Sequence, residues 1–312
     1  MNKTFDFCSN KVKFLLLPLL IVVAGIVMYF VNGGFNFDVE FMGGTRMQVN
    51  VGQDFKNSDV EKLVEDATGL DAVVQTGSSS DVVIVKLPAA DTAEADEENK
   101  NKAFNSLKEQ FSLEDTALLN AQSADPSFGK EVQGKAISFT LLAILFMMLY
   151  IIIRFDFKSG VMAVFALAIN VVVMAAVYTI TNIALNTTFI AAMLTVVGYS
   201  INNTIVIFDR IRENSKLRRR GESIAQMTNR SIKETMGRTI NSTVTTVITI
   251  VLIYILGVST IKEFALPLII GILAGAYTSI FVASTFWAAW KEAEAESKAH
   301  AAAERKVTKK NK

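Results

Sequence analysis

The stretch Val197-Gly198-Tyr199-Ser200-Ile201-Asn202-Asn203-Thr204-Ile205-Val206-Ile207-Phe208-Asp209-Arg210-Ile211-Arg212-Glu213-Asn214 joins two features that soluble helices seldom combine. It closes an uncharged apolar stretch that carries two adjacent amides, then breaks into charges of both signs. A polar side chain held in hydrocarbon is costly, and its presence there points to function. Ser200, Asn203 and Thr204 stand at i, i+3 and i+4, so a helix places them on one face.

Uncharged stretches of 18 to 24 residues recur along the chain, at 14–31, 136–153, 160–180, 189–208, 239–256 and 265–288. About 20 helical residues at 1.5 Å each cross ~30 Å of hydrocarbon. The expected fold class is an α-helical polytopic membrane protein with six transmembrane helices arranged 1+5. An even number of spans returns both termini to one side. The chain has 312 residues, 51% of them hydrophobic, and a formal net charge of +1.

That near-neutral total hides a polarity. Residues 32–134 hold 19 acids against 8 bases, whereas 1–13, 154–159, 209–238 and 291–312 together hold 21 bases against 10 acids. By the positive-inside rule the basic segments, including both termini, are cytoplasmic and the acidic domain lies outside. The expected organisation is therefore a cytoplasmic N-terminus at 1–13, a first span at 14–31 and an extracytoplasmic domain at 32–134. A five-helix bundle at 135–290, with a cytoplasmic loop at 209–238, and a tail at 291–312 follow. The first span reads as an uncleaved anchor, since Val31-Asn32-Gly33-Gly34 is a weak cleavage site. A lone cysteine, Cys8, excludes an intramolecular disulfide and reads as inert.

The acidic domain carries α+β signals. Arg46–Val51 alternates as a half-buried strand does. Ser58 with Glu61 three positions on reads as a helix cap, and Gly69 as the stop of that helix. Asp71–Gln75 and Val82–Leu87 flank a turn-rich segment at 76–81, Thr92–Phe111 reads as an acidic second helix, and Thr116–Gln122 as a last strand. The order β-α-β-β-α-β suggests a ferredoxin-like sandwich. In the basic loop, Ile224, Met227, Ile232 and Met236 suggest an amphipathic stretch lying along the membrane face. The tail after Trp290, rich in Ala, Glu and Lys, reads as a frayed helix or a disordered segment. Basic segments of this kind are topology signals drawn to anionic membrane lipids, and no nucleic-acid partner is expected.

No uncharged stretch contains an acid, a base or a histidine, and the only histidine is His300. With no metal cluster, nucleophile–His pair or phosphate loop, an enzyme is not expected and no catalytic or metal residue is assigned. The chemistry rests on uncharged polarity: Asn170 in the third span, Ser200, Asn202, Asn203 and Thr204 in the fourth, and Asn241 and Thr245 in the fifth, with Arg238 at its mouth. Such groups also serve as interhelical glue worth ~0.6 kcal/mol each. Three amides in three spans exceed what glue requires, so Asn170, Asn203 and Asn241 are expected to form an inward-facing cluster. Asp209, Arg210, Arg212 and Glu213 are expected to end the fourth helix as an interfacial salt-bridge cap.

With Gly43-Gly44-Thr45, Arg154-Phe155, Gly198–Asn202 through Arg212-Glu213-Asn214, and Arg238-Thr239-Ile240-Asn241-Ser242 taken together, the sequence resembles the SecF branch of the SecD/SecF family of Sec protein-export membrane subunits, within the resistance–nodulation–division superfamily. The resemblance covers most of the chain. It implies a multi-pass subunit of the bacterial cytoplasmic membrane that acts with SecD, the SecYEG channel and, indirectly, the SecA motor on exported unfolded polypeptide. The energy source it implies is the proton or sodium gradient, with no cofactor. It also implies an acid at the position of Asn203 and a His-Asp pair at Ile169-Asn170. This chain departs there, and an amide does not exchange a proton near neutral pH. SecD would then supply the titrating acid. A non-conducting scaffold and a half-size exporter of lipids or small molecules are the alternatives.

Overall fold

The computed structural model describes residues 5–310 except Ser78 and Arg220, which fall within the turn and the basic loop read above; the side chains of 126–130, 132–133, 136–137, 259–260 and 302–310 lie outside the description. The chain divides into two compact units.

The α+β unit comprises residues 35–139 and 183–190. It runs α1 (Val39–Met42), β1 (Gly44–Asn50), α2 (Asn57–Thr68), β2 (Val73–Thr76), β3 (Val82–Leu87), α3 (Ala93–Phe111) and β4 (Leu118–Ala124). The sheet is antiparallel with the order β2-β3-β1-β4. Alternation along β1 sends Met47 and Val49 to one face. There they join Val83 and Val85 of β3, Val60 and Val64 of α2, and Ala103 and Leu107 of α3 in one core. Each large aliphatic so buried contributes about 1.5–3 kcal/mol. β1 is buried on both faces, because Arg46 and Gln48 on its other side are also covered. Gly44 starts the strand at φ 111°, and a Cβ there would fall 2.1 Å from the Leu87 carbonyl. That approach of backbone on backbone requires glycine at 44, while Gly43 sits at φ 84°, in the region that favours glycine. Gly69 stops α2 in the left-handed region.

One local expectation is corrected here. Helix α2 begins at Asn57 with Lys56 at its cap position, and Ser58 Oγ turns to Asp59 at 3.4 Å. The cap read at Ser58 sits inside the first turn, where its side chain meets no orphan amide. Thr92, by contrast, does cap α3, accepting from Ala95 N at 3.2 Å.

The helical unit comprises residues 5–34, 140–182 and 191–310 of the described chain. Its elements are α4 (Lys11–Val31), which precedes the α+β unit in sequence, then α5 (Pro126–Arg154), α6 (Phe157–Thr181), α7 (Thr187–Lys216), α8 (Ile224–Leu256), α9 (Ser259–Thr278), a π-helical turn (Ser279–Ala283) and α10 (Ser284–Lys310). Five helices among the described residues are long and apolar enough to cross a membrane: α4, α6, α7, α8 and the continuous run Ile261–Ala301. Within α5 the apolar part, Ser138–Arg154, is shorter. Large apolar side chains such as Leu20, Phe30, Leu141 and Phe146 are exposed, as lipid-facing positions are. Helix α4 packs on α6 at Gly25, where a Cβ would lie 2.5 Å from Ala176 Cβ.

Helix α8 is unbroken over 33 residues. Among the described residues no separate surface helix forms, because Met227 and Ile232 are buried, and Ile224 and Met236 half-buried, in a core with Ile151, Leu167, Ile207, Ile211 and Trp287. The apolar row read as membrane-facing thus faces the bundle. The N-terminal segment docks on the same region. Asn229 Oδ1 accepts from Phe7 N and Cys8 N, both at 3.0 Å, and its Nδ2 donates to Asp6 at 2.7 Å. Burial pushes the Cys8 thiol up to about 12. Of the two readings of the tail, the structure shows the helix, which runs to Lys310; Ala, Glu and Lys are strong helix formers, and Lys298 pairs with Glu294 at 2.6 Å.

Candidate intramembrane polar site

Asn170 on α6 is 1% exposed. Its Nδ2 donates to Ser200 Oγ on α7 at 2.7 Å, and its Oδ1 accepts from Thr278 Oγ1 on α9 at 2.6 Å. One residue on, Ser279 Oγ lies 2.8 Å from Thr204 Oγ1 and 3.3 Å from the Ser200 carbonyl. Three helices thus meet through neutral donors and acceptors.

Two backbone features make room for this. A Cβ on Gly275 would fall 2.7 Å from Ser200 Oγ, and one on Gly271 would fall 2.5 Å from Val196. Gly271 and Gly275 form a small-xxx-small pair that lets α9 lie against α7. Directly after it the π-turn at Ser279 inserts one residue into the helix. Such turns recur at functional sites because they re-aim side chains.

Asn203 is 3% exposed, and among the described residues no acceptor lies within reach of its Nδ2. Tyr199 Oη, one turn earlier, reaches the Ser242 carbonyl and Thr246 Oγ1 of α8, both at 3.1 Å. A buried amide donor without a partner costs about 1–3 kcal/mol and marks a place where an acceptor would bind.

The predicted residues therefore separate. Asn170, Ser200 and Thr204 come together, and Asn203 is buried. Asn202 is exposed, on the other side of α7. Asn241, expected in the inward cluster, is a correction: it is exposed, as are Arg238 and Thr245. The buried row of α8 is Thr235, Thr239 and Thr243. Asn241 is two residues from both Thr239 and Thr243, about 200° around the helix. Thr245 Oγ1 donates back to the Asn241 carbonyl at 3.0 Å. Thr278, Ser279 and Gly275 are site residues that the sequence reading missed; Gly271-Ile272-Leu273-Ala274-Gly275 was the available signal.

The charge cluster does not end α7, which continues to Lys216. Asp209 pairs with Arg212 at 3.1 Å and with Arg154 at 3.3 Å, while Arg210 reaches Glu213 and Glu234, both at 2.6 Å. These exposed pairs are each worth about 0–1 kcal/mol. The buried hub beside them is Asn214, which donates to Ser231 at 2.9 Å and Glu234 at 2.7 Å and accepts from Arg230 at 2.9 Å. Gly43, Gly44 and Thr45 belong to the α+β unit, where Thr45 Oγ1 meets Ser123 Oγ across β1 and β4 at 2.8 Å.

Residues 103–293 match the family described as "Protein export membrane protein SecD/SecF, C-terminal". The SecF translocase subunit of Alicyclobacillus acidocaldarius is 33% identical over 296 residues, which cover 93% of this chain and 94% of that one. The chain belongs to the SecD/SecF family. Within that family it is also 32% identical over 295 residues to the SecDF translocase subunit of Bacillus subtilis, of which it covers only 38%. The crystal structure of Thermus thermophilus SecDF, a translocon-associated membrane protein, superposes with a TM-score of 0.80 at 31% identity, covering 93% of this chain and 39% of that one. The chain thus spans nearly the whole of its SecF relatives and about two fifths of the SecDF relatives. A SecD/SecF membrane protein with several apolar helices is a multi-pass membrane protein.

Proposed function

We propose that this chain is an auxiliary subunit of the Sec translocase that works with SecD to complete protein export at the expense of an ion gradient. In this reading the apolar part of α5 is the sixth span, both termini and the basic segments are cytoplasmic, and the α+β unit faces outward. Its strand order, with a helix after β1 and another after β3, supports a ferredoxin-like domain. SecYEG and, through it, SecA and the emerging polypeptide are the further partners.

The observation that carries the proposal is the buried, carboxylate-free site with the open donor of Asn203. On α8, the exposed Arg238, Asn241 and Thr245 form a polar stripe that hydrocarbon would penalise. A partner subunit covering that stripe would remove the penalty, and a SecD carboxylate facing Arg238 would be held ionised by it. Two-fifths coverage of the SecDF relatives supports a partner that supplies the remainder. The acid that exchanges the proton, or helps coordinate sodium, then belongs to SecD, and Asn170, Asn203 and Arg238 tune it.

The test is export measured with SecD present, across a range of imposed gradients. Asn203→Asp adds a titratable group and is expected to change the pH dependence of export or to abolish it; Asn203→Ala is expected to weaken the response to the gradient. A second reading, a scaffold that moves no ions, is supported by how completely Ser200, Thr204 and Ser279 satisfy one another and the Ser200 carbonyl. An Asn203→Ala chain that exports like the parent at every gradient would select it.

A further inference from the structure

The connection between α6 and α7 is folded into the α+β unit. Leu185 N donates to the Asn36 carbonyl at 2.7 Å, and Asp38 N donates to the Leu185 carbonyl at 2.9 Å, so that Phe37 and Leu185 form a parallel bridge. Asn186 caps α7, its Oδ1 accepting from Phe189 N at 2.9 Å. A second acceptor comes from far away in sequence. Glu40 Oε2 accepts from Thr187 N at 2.8 Å and from Thr187 Oγ1 at 2.5 Å, across 147 residues. One carboxylate oxygen thereby binds an orphan amide of the first turn and places negative charge at the positive end of the helix dipole.

Glu40 is not on a loose arm. Two residues before it, Asp38 is fully buried between Arg46 of β1 at 3.4 Å and Lys86 of β3 at 3.5 Å. Lys86 also donates to Asn36 Oδ1 at 3.3 Å. The two central strands grip residues 36–40, and residues 36–40 grip 185–187. From Thr187 the helix runs without interruption to Lys216 and carries Ser200, Asn203 and Thr204 on the way. Ser200 lies thirteen helical steps beyond Thr187, roughly 20 Å along the axis. A helix is stiff along its axis, so a shift or turn imposed on its first residue reaches the polar row through continuous backbone.

We propose that Glu40 is a positioning residue for export: it fastens the α+β unit to the start of α7, so that displacement of that unit moves the helix bearing the intramembrane polar row. This rests on reading that row as the coupling site. Glu40 acts through α7 and touches neither ion nor polypeptide. Its role differs from simple helix capping in one respect, since capping can be supplied from within α7 whereas the link across the chain cannot.

That difference sets the experiment, done on the full-length chain with SecD present. Amide exchange over residues 187–189 is read by mass spectrometry beside export stimulation. Glu40→Ala is expected to speed exchange there about tenfold and to remove most of the stimulation. Glu40→Gln keeps an acceptor and is expected to restore both in large part. The double variant Glu40→Ala/Asn186→Asp restores negative charge at the helix N-terminus from a residue that already accepts from Phe189 N, but not the link to residues 36–40; exchange at Phe189 is expected to return toward the parent rate while export stays impaired. Recovery of export in the double variant would overturn the proposal in favour of plain capping. Parent-like export in Glu40→Ala would overturn it outright. Asn203→Ala run alongside tells the two failures apart: if it impairs gradient response while Glu40→Ala is silent, only the clamp falls, and if both are silent, the coupling site falls with it.

Discussion

The two units of this protein bury polarity by opposite means. The α+β unit encloses formal charge, with Asp38 held between Arg46 and Lys86 on the sheet face away from the apolar core. The helical unit encloses amides and hydroxyls, Asn170 with Ser200 and Thr278, and Thr204 with Ser279. The contrast follows from what surrounds each. A domain bathed in water keeps a buried ion pair when opposite charges are close and further hydrogen bonds satisfy them. Helices bathed in hydrocarbon have no water to fall back on, so neutral groups that satisfy one another are the low-cost solution. Among the buried polar atoms of the helical unit without a partner, which include the hydroxyls of Thr239 and Thr243, the Nδ2 of Asn203 is the amide donor beside the polar site.

The sharpest way to break the comparison is on the charged side. Asp38→Ala removes the carboxylate that two buried cations share and is expected to cost about 3–5 kcal/mol, seen as proteolytic opening of residues 35–139 in the full-length chain. Combining it with Arg46→Met and Lys86→Met should restore most of that loss, because a buried ion pair is often no better than a packed apolar one.

On the neutral side the costs are smaller. Gly275→Leu forces a side chain into Ser200, which lies 2.7 Å from the Cβ position. Overpacking of this kind costs about 1–3 kcal/mol, measurable as a lower unfolding temperature in detergent. Asn170→Val removes two side-chain hydrogen bonds and is expected to cost only about 1 kcal/mol, since intramembrane bonds are worth ~0.6 each. A loss several times larger would mean that Asn170 does more than hold helices together.

The smallest effect lies in the basic loop. Arg230 bonds Glu222 at 3.1 Å and, with the Arg219 backbone, holds its carboxyl below the ordinary value of 4.5. A lowered carboxylate contributes stability that is complete above its unfolded value and fades as pH falls through the folded one. The helical unit should therefore lose a little stability on acidification below about pH 4.5, and Arg230→Ala should remove that part of the pH dependence. Melting curves taken from neutral to acid pH would show it.

Much of this was legible along the chain. Charge-free stretches marked the long helices, alternation marked β1, and Gly69 marked a helix end. Spacing at i, i+3 and i+4 put Ser200, Asn203 and Thr204 on one buried face. Asn241 was misplaced because its helix carries hydroxyls nearly all round, at Thr239, Ser242, Thr243 and Thr245, so periodicity alone gave no buried side. Nothing near Asp38 or Glu40 announced their partners, which lie up to 147 residues away.

The sequence by itself determined where hydrocarbon-compatible helices and a half-polar sheet could form, because hydropathy, periodicity and turn residues act over a few residues at a time. Only the tertiary structure decided which polar groups share a site. Asn170 meets Thr278 and Ser200 because Gly271, Gly275 and the π-turn set how closely α9 lies on α7. Glu40 meets Thr187 because two central strands hold residues 36–40 against the α6–α7 connection. Those are properties of packing between distant segments, and no local pattern encodes them.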